Sequence, residues 1–367
     1  MPIDTSKCTI LSNLSKKDLD EFLKRVKSEE FTFRKNLNFS SLYTFGNEVE
    51  INCLFSNYIK DFVKAFNDKH WLYEDDCYEL RHEPTASAEI VTPILTNEQF
   101  NWAIFKDLYD LLKHDGATVA DNTASHIHVG THMINTPHEL ALLIKTLVVF
   151  EPIIFRFGYG LSDEPRSFIE AEYGYINHAM ISSPRKVGRF VEALEHFDAF
   201  TKEDMIKEFM DFSTIKYRYR TAFNFNRFDF RKLFFKTHSD NPSIYDNLEI
   251  RCFNGTLWPE VSQNNINLIV SIVRAVHEGK IDEKYVERQY LLYLKNTYNF
   301  DHSSAIFYNY DEVDEYNKIL KGFSEIDIKK AMKLADMIFD DDRDKLFFMK
   351  QYLKLFKANE KEITVSL

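Results

Sequence analysis

The stretch Ser125-His126-Ile127-His128-Val129-Gly130-Thr131-His132 alternates between polar and apolar side chains. Successive side chains on a β-strand point to opposite faces, so this spacing predicts a strand. His126, His128 and His132 share one face, and Ile127 and Val129 take the other. The same period of two recurs elsewhere. In Phe45-Gly-Asn-Glu-Val-Glu-Ile-Asn52, Glu48 and Glu50 oppose Val49 and Ile51. In Leu248-Glu-Ile-Arg-Cys-Phe253, Glu249 and Arg251 oppose Leu248, Ile250 and Cys252. In Tyr217-Arg-Tyr-Arg220, Arg218 and Arg220 oppose Tyr217 and Tyr219, while Glu79 and Arg81 alternate with Tyr78 and Leu80. Glu89 precedes Ile90-Val91 in the same manner.

Strands are therefore expected over 43–55, 73–81, 89–92, 125–131, 217–226 and 247–253. Helical signals separate them. Ser15 and Asp18 form an N-cap pattern ahead of Leu19–Val26. Ile59, Phe62, Val63 and Phe66 follow helical spacing. Asn97 is read as opening a helix that Gly116 stops, and Thr136-Pro137 and Ser183-Pro184 place a cap before a first-turn proline. Ser262 to His277 is a long apolar helix stopped by Gly279. The chain from Ile281 to Asn359 reads as helical in about four segments. Helices follow single strands or pairs without regular βαβ alternation. The expected fold class is α+β, a mainly antiparallel sheet with helices on one side. The expected division is an N-terminal helical extension over 1–40, a core over 41–280 and a helical C-terminal region over 281–367.

Any one of these strands could alternate simply because one face is wet. A wet face, however, would carry Lys, Thr, Ser and Gln, whereas the cores above carry Glu, His and Arg. On a shared sheet such carboxylates repel one another unless cations neutralise them. Carboxylates with imidazole suit Mg²⁺ or Mn²⁺, and added guanidiniums make the face complementary to a metal–polyphosphate.

The 367 residues carry 46 Lys+Arg and 57 Asp+Glu, a net charge of −11, with 44% hydrophobic and 15% aromatic residues. That is a globular composition. Only 10 residues are glycine. No G-x-x-x-x-G-K-[ST] occurs, and no third glycine completes Gly158-Tyr159-Gly160 as a dinucleotide fingerprint, so glycine-loop phosphate binding is excluded. The acidic balance argues against a nucleic-acid partner. The 4 cysteines, Cys8, Cys53, Cys77 and Cys252, form no C-x-x-C pair, so no zinc ribbon is indicated. Cys53 and Cys252 read as core. Without a signal pattern or a run of about 18 apolar residues, the expectation is a cytoplasmic protein with no membrane partner.

The ordered set Phe45-Gly-Asn-Glu-Val-Glu50, Trp71 with Asp75-Asp76-Cys77, Glu89-Ile-Val-Thr-Pro93, His126-Ile-His-Val-Gly130, Arg218-Tyr-Arg-Thr-Ala-Phe-Asn224 and Leu248-Glu-Ile-Arg-Cys-Phe-Asn-Gly-Thr-Leu257 resembles the amidoligase family. The likeness spans about residues 40 to 275. That family belongs to the carboxylate–amine ligases with the glutamine synthetase and glutamate–cysteine ligase fold. The resemblance implies a curved antiparallel sheet with a catalytic concave face, and ATP and Mg²⁺ (or Mn²⁺) as cofactors. It implies amide formation through an acyl phosphate between small-molecule or peptide carboxylate and amine substrates. Carried over position by position, Glu48, Glu50, Glu89, His126 and Glu249 would be metal ligands. Arg251, Arg220 and Arg218 would neutralise phosphate oxygens. His128, Asp75, Arg81 and Asn254 would meet substrate or nucleotide. The sequence departs from the family where Asp75-Asp76-Cys77 replaces D-G-S and where Ala124-Ser125 replaces a glycine ahead of H-x-H. Glu151-Pro152 and Arg166 with Tyr175 fall where the family keeps a Glu and an Arg…Tyr pair.

Two other readings fit the residues. His126 and His128 with a distant Glu suit a facial-triad metal hydrolase or oxygenase, although the arginines have no task there. A non-catalytic binding scaffold of the same fold is the other. Asn254-Gly255 reads as a turn, His132 as a strand-end surface histidine, and Asp340–Asp344 as a solvated helix start. The aromatic C-terminal helices, with Phe347, Phe348, Tyr352 and Phe356, read as core or as an oligomer contact.

Overall fold

The computed structural model describes residues 8–52, 56–82, 86–119, 123–158, 184–213, 222–234, 246–298, 326–353, 357–358 and 361–362. Its centre is a six-stranded sheet of β1 (Phe45–Ile51), β2 (Glu79–Arg81), β3 (Ala88–Val91), β4 (Ala124–Gly130), β5 (Phe223–Asn224) and β6 (Asn247–Asn254), ordered β2-β3-β1-β4-β6-β5. Every pairing is antiparallel, as the alternating patterns predict. Val49, Ile51, Ile90, Ile127, Val129, Leu248 and Ile250 are buried on one face, in one apolar cluster with the helices.

That face packs on α2 (Ser56–His70), α3 (Gln99–His114), α4 (Pro137–Gly158) and α7 (Pro259–His277). The chain also forms α1 (Lys16–Ser28), α5 (Pro184–Glu195), α6 (Lys202–Ser213), α8 (Glu283–Tyr298), α9 (Ile328–Ile338) and α10 (Asp342–Tyr352). Ser15 caps α1 by accepting the Asp18 N–H. Thr136 and Glu139 form a reciprocal capping box at α4, with Glu139 N donating to Thr136 Oγ1 and Thr136 N to Glu139 Oε2. Gly116 (φ 80°) and Gly279 (φ 65°) end α3 and α7 in the left-handed region open to glycine.

Asn97 departs from its expected role. Glu98 stands at the N-cap of α3, and the Asn97 side chain instead holds a neighbouring loop. Its Oδ1 accepts from Leu37 N at 2.8 Å and from the Trp102 indole at 2.9 Å, and its Nδ2 donates to Leu37 and Phe39 carbonyls. The expected strand over 73–81 shrinks to Glu79–Arg81. Trp71 (φ 57°) and Glu74 (φ 54°) take left-handed backbone around a short turn at Glu74–Asp76, which extended pairing cannot accommodate. Of the strand expected over 217–226, the structure describes Phe223–Asn224. The helical reading of the C-terminus ends at Tyr352, and Lys357–Ala358 pairs with Lys361–Glu362 as a two-stranded ribbon. The segment 299–325 and the helix-opening Ser183 lie outside the described residues, as do Cys53, Arg166, Tyr175 and Phe356.

Helix α7 is buried along nearly its whole length, including Ser262, Gln263, Asn264, Asn265 and Asn267. Buried polar groups need partners, and these find them in both terminal regions. Gln263 exchanges two hydrogen bonds with the Arg34 backbone at 2.9 and 2.8 Å. Asn267 donates to Asp344 at 2.7 Å, Asn264 donates to Gln351 at 2.8 Å, and Gln351 donates to Asn265 at 2.6 Å. Asp344 also receives the Arg34 guanidinium, both side chains being nearly sealed from water. The Asp340–Asp344 run is therefore not simply a solvated helix start. Asp341 caps α10, Asp342 holds Thr9, and Asp344 is buried because α10 lies against α7. Removing one partner of a buried ion pair strands the other charge, at a cost of about 3–5 kcal/mol. Asp344→Ala is expected to lose that much stability in urea unfolding. The Arg34→Met/Asp344→Leu double variant should recover most of it, and a double variant as unstable as Asp344→Ala refutes this account.

Candidate functional site

Cross-strand pairing sets which side chains share the second face of the sheet, because directly opposed residues point the same way. One row runs Arg81, Glu89, Glu50, Ala124, Asn254. The next runs Glu79, Val91, Glu48, His126, and a third runs Gly46, His128, Glu249, Asn224. A register shift interrupts the β4–β6 pairing. Ser125 faces Phe253 and Ile127 faces Ile250, so Arg251 and Cys252 together oppose His126. This bulge lies beside the polar cluster, and bulges there re-aim side chains. Arg251 keeps the face of Glu249 and its guanidinium contacts that carboxylate.

Glu48, Glu50, Glu89, His126 and Glu249 are all buried on this face. Glu48 is the hub. Its Oε2 lies 3.0 Å from His126 Nδ1, and its Oε1 lies 3.0 Å from His128 Nε2 and 3.4 Å from Arg81 Nη1. Burial alone would raise its pKa, but hydrogen bonds and charge from His126 and His128 outweigh burial and hold it below the usual carboxylate range. Glu249 shifts down likewise, burial being overcome by Arg251 and then by His126 and His128. For His128, burial disfavours the charged ring, yet the hydrogen bond and charge of Glu48 and the charge of Glu249 raise its pKa.

Two sets of donor atoms converge within 4.8 Å of one another, Glu48 with Glu89 and His126, and Glu48 with His128 and Glu249. His128 Nε2 is buried and, despite its proximity to Glu48, makes no hydrogen bond. A sealed ring nitrogen aimed at two carboxylates, with its other nitrogen 3.0 Å from Asn247 Oδ1, is a donor arrangement that a divalent cation fits. Carboxylate and imidazole donors in this mixture suit Mg²⁺ and Mn²⁺.

Glu50 stands in neither set. It accepts from Ala124 N at 2.8 Å and lies 3.8 Å from His126 Nε2. Asn254 shares the face at the end of β6. Asp75 is exposed on the turn before β2 and makes no hydrogen bond or ion pair with the cluster. Arg218 and Arg220 lie outside the described residues. Gly255 is not a positive-φ turn residue. Its N–H donates to Thr123 O at 2.9 Å, and a Cβ there would sit 2.5 Å from Thr123 Oγ1, so close approach demands the glycine. Gly130 is similar, since a Cβ would lie 2.3 Å from Thr44 Oγ1. The Cys77 thiol is 3.3 Å from Leu72 O.

Two residues escape the sequence reading. Asn224 donates to Glu249 Oε2 at 2.7 Å, and Asn247 contacts His128. Period-two spacing puts Asn224 in phase with Arg218 and Arg220 and Asn247 in phase with Glu249. An asparagine at a strand end, however, reads first as a turn former.

Fold and face together define an α+β protein whose sheet presents a buried carboxylate–imidazole–guanidinium surface. The chain belongs to the amidoligase family. The family model described as "putative amidoligase enzyme" matches residues 45–273, from the first residue of β1 into α7. The match spans all six strands of the sheet, and a ligase-type function comes with that membership. No curated protein and no solved structure matches the chain. No helix among the described residues is long and apolar enough to cross a membrane.

The shifted groups make opposite pH predictions for the metal-free protein. Glu48, depressed from 4.5, contributes stability that is complete above that value and is lost as pH falls through its lower folded value. His128, raised from 6.5, contributes fully below 6.5 and loses its contribution as pH rises through its higher folded value. In chelator-treated protein, Glu48→Gln should flatten the acid limb of the urea midpoint plotted against pH. An acid limb identical to wild type would sink the assignment.

Proposed function

We propose that the protein is an ATP- and Mg²⁺-dependent carboxylate–amine ligase, with Mn²⁺ able to substitute for Mg²⁺. The sheet is then the catalytic face of a glutamine synthetase-like fold. The observation that carries this reading is the pair of donor sets sharing Glu48, with Arg81 and Arg251 at their edges. Glu48, Glu89 and His126 would hold one cation, and Glu48, His128 and Glu249 a second. Bound there, the cations would neutralise polyphosphate charge. Residues 41–280 form the ligase core on this reading, with 1–40 and 281–367 packed against it.

A substrate carboxylate oxygen attacks the γ-phosphorus of ATP, the bond from that phosphorus to the β–γ bridging oxygen breaks, and ADP leaves. The amine nitrogen then attacks the acyl carbon of the resulting acyl phosphate. Inorganic phosphate departs with the bonding electrons, and the nitrogen loses a proton. The negative charge spread over the transferring phosphoryl group calls for fixed cations in a site shielded from water. Arg251 is placed for that task. Its fork already engages a carboxylate, and the same planar geometry fits phosphoryl oxygens. Arg218 and Arg220 would add to it. Burial of Glu48 and Glu249 strengthens each of these interactions, because the effective dielectric falls where water is excluded.

Purified protein given ATP, Mg²⁺ and pools of carboxylates and amines should release phosphate and yield a condensation product detectable by mass spectrometry. Glu48→Gln should lower turnover by at least about 10²-fold. Tightly bound iron or zinc, with no response to ATP in turnover or melting temperature, would favour a metal hydrolase or oxygenase instead.

A further inference from the structure

We propose that Asn247 is a positioning residue that sets the tautomer and aim of His128, so that His128 presents a bare Nε2 to a cation held with Glu48 and Glu249. This inference rests on the metal-dependent reading of the same site. His128 faces Glu249 across the β4–β6 ladder, and Asn247 faces Gly130, so Asn247 is the diagonal neighbour two residues along β6. Its Oδ1 lies 3.0 Å from His128 Nδ1. An amide oxygen only accepts, so the Nδ1 position carries the proton and the lone pair falls on Nε2. The far side of the ring agrees. If Asn247 were turned to donate its NH₂ into Nδ1, Nε2 would carry a hydrogen facing Glu48 Oε1 at 3.0 Å and would bond to it. Nε2 instead makes no hydrogen bond and is sealed from solvent.

Asn247 can impose this aim because its own backbone is pinned. Its N–H donates to Arg227 O at 3.2 Å. The preceding Asp246 accepts from Thr131 Oγ1 at 2.8 Å and from Asp229 N at 3.0 Å, and pairs with Lys232 at 2.7 Å. The side chain is itself buried, so few rotamers compete. A ligand histidine held through its second nitrogen loses about 10–100-fold in metal affinity when that partner is removed. His126 has no such amide partner. Its Nδ1 faces Glu48 directly, so the two cation positions should respond differently to changes at Asn247.

The test titrates full-length protein with Mn²⁺ and follows free Mn²⁺ by electron paramagnetic resonance. Wild type should bind two ions. Asn247→Leu should weaken one of them by about 10–100-fold and leave the other within about threefold. Asn247→Asp, which keeps the acceptor, should restore the affinity lost in Asn247→Leu. Two unchanged affinities in folded Asn247→Leu, or an Asn247→Asp variant as weak as Asn247→Leu, would overturn the proposal and leave the metal site standing. Failure of wild type to bind Mn²⁺ at all would overturn the metal-dependent reading and this inference with it. A second measurement needs no destabilising variant. In ¹⁵N-histidine spectra of Mg²⁺-saturated wild type, assigned with His128→Gln, the His128 ring should be protonated at Nδ1 and bare at Nε2, and protonation at Nε2 instead refutes the proposal.

Discussion

A carboxylate sealed inside a protein costs several kcal/mol of lost hydration unless fixed partners compensate it, and Glu48 places that demand at the centre of this sheet. Its partners come from three other strands or edges: His126 directly opposite on β4, His128 one step along the same strand, and Arg81 from β2 across β3. Shifting β1 by one residue against β4 would turn Val49 toward these groups and drive Glu48 into the apolar face. Electrostatics on one face and apolar burial on the other therefore select the same register.

The back of the sheet reinforces that register with neutral hydrogen bonds. Asn47 lies between Gly46 and Glu48 in sequence but points to the helical side. There its amide donates to Tyr109 on α3 and contacts Ser262 on α7, while Ser125 donates to its oxygen at 2.9 Å. Tyr109 in turn donates to Ser262 at 2.8 Å. This closed set of buried polar groups ties β1 and β4 to two helices at the point where the site is built on the opposite face. Such networks are stabilising only when fully satisfied, which makes them specific to one arrangement. Helix α7 then passes the constraint outward, since its polar stripe is satisfied by Arg34 on one side and by α10 on the other. Lys350, reaching the Val26 carbonyl at 2.7 Å, ties α10 to α1 as well.

Much of the site is legible in the sequence because strand geometry is local. Glu48 and Glu50, His126 and His128, and Glu249 and Arg251 fall on shared faces for no reason beyond the alternation of side chains. The readings that failed depend on where distant segments arrive. Asn97 looks like a helix cap, yet a loop at 37–39 offers it better partners. Asp344 looks solvated because it ends an acidic run, yet Arg34 and Asn267 meet it inside the protein. Gly255 looks like a turn residue, and the backbone of Thr123 is what excludes a side chain there.

By itself, then, the sequence determined the strand faces, most helix boundaries, the absence of a glycine phosphate loop and the family. Each is encoded in neighbouring residues or in motif order. The tertiary structure alone decided the strand order β2-β3-β1-β4-β6-β5, the bulge that sets Arg251 and Cys252 against His126, and the grouping of donors into two sets around Glu48. It also decided that Asn224 and Asn247 steer Glu249 and His128. The physical reason is that pairing between strands some 80 to 120 residues apart leaves no local signature, because the hydrogen bonds that choose a partner belong to the backbone and are the same for every sequence.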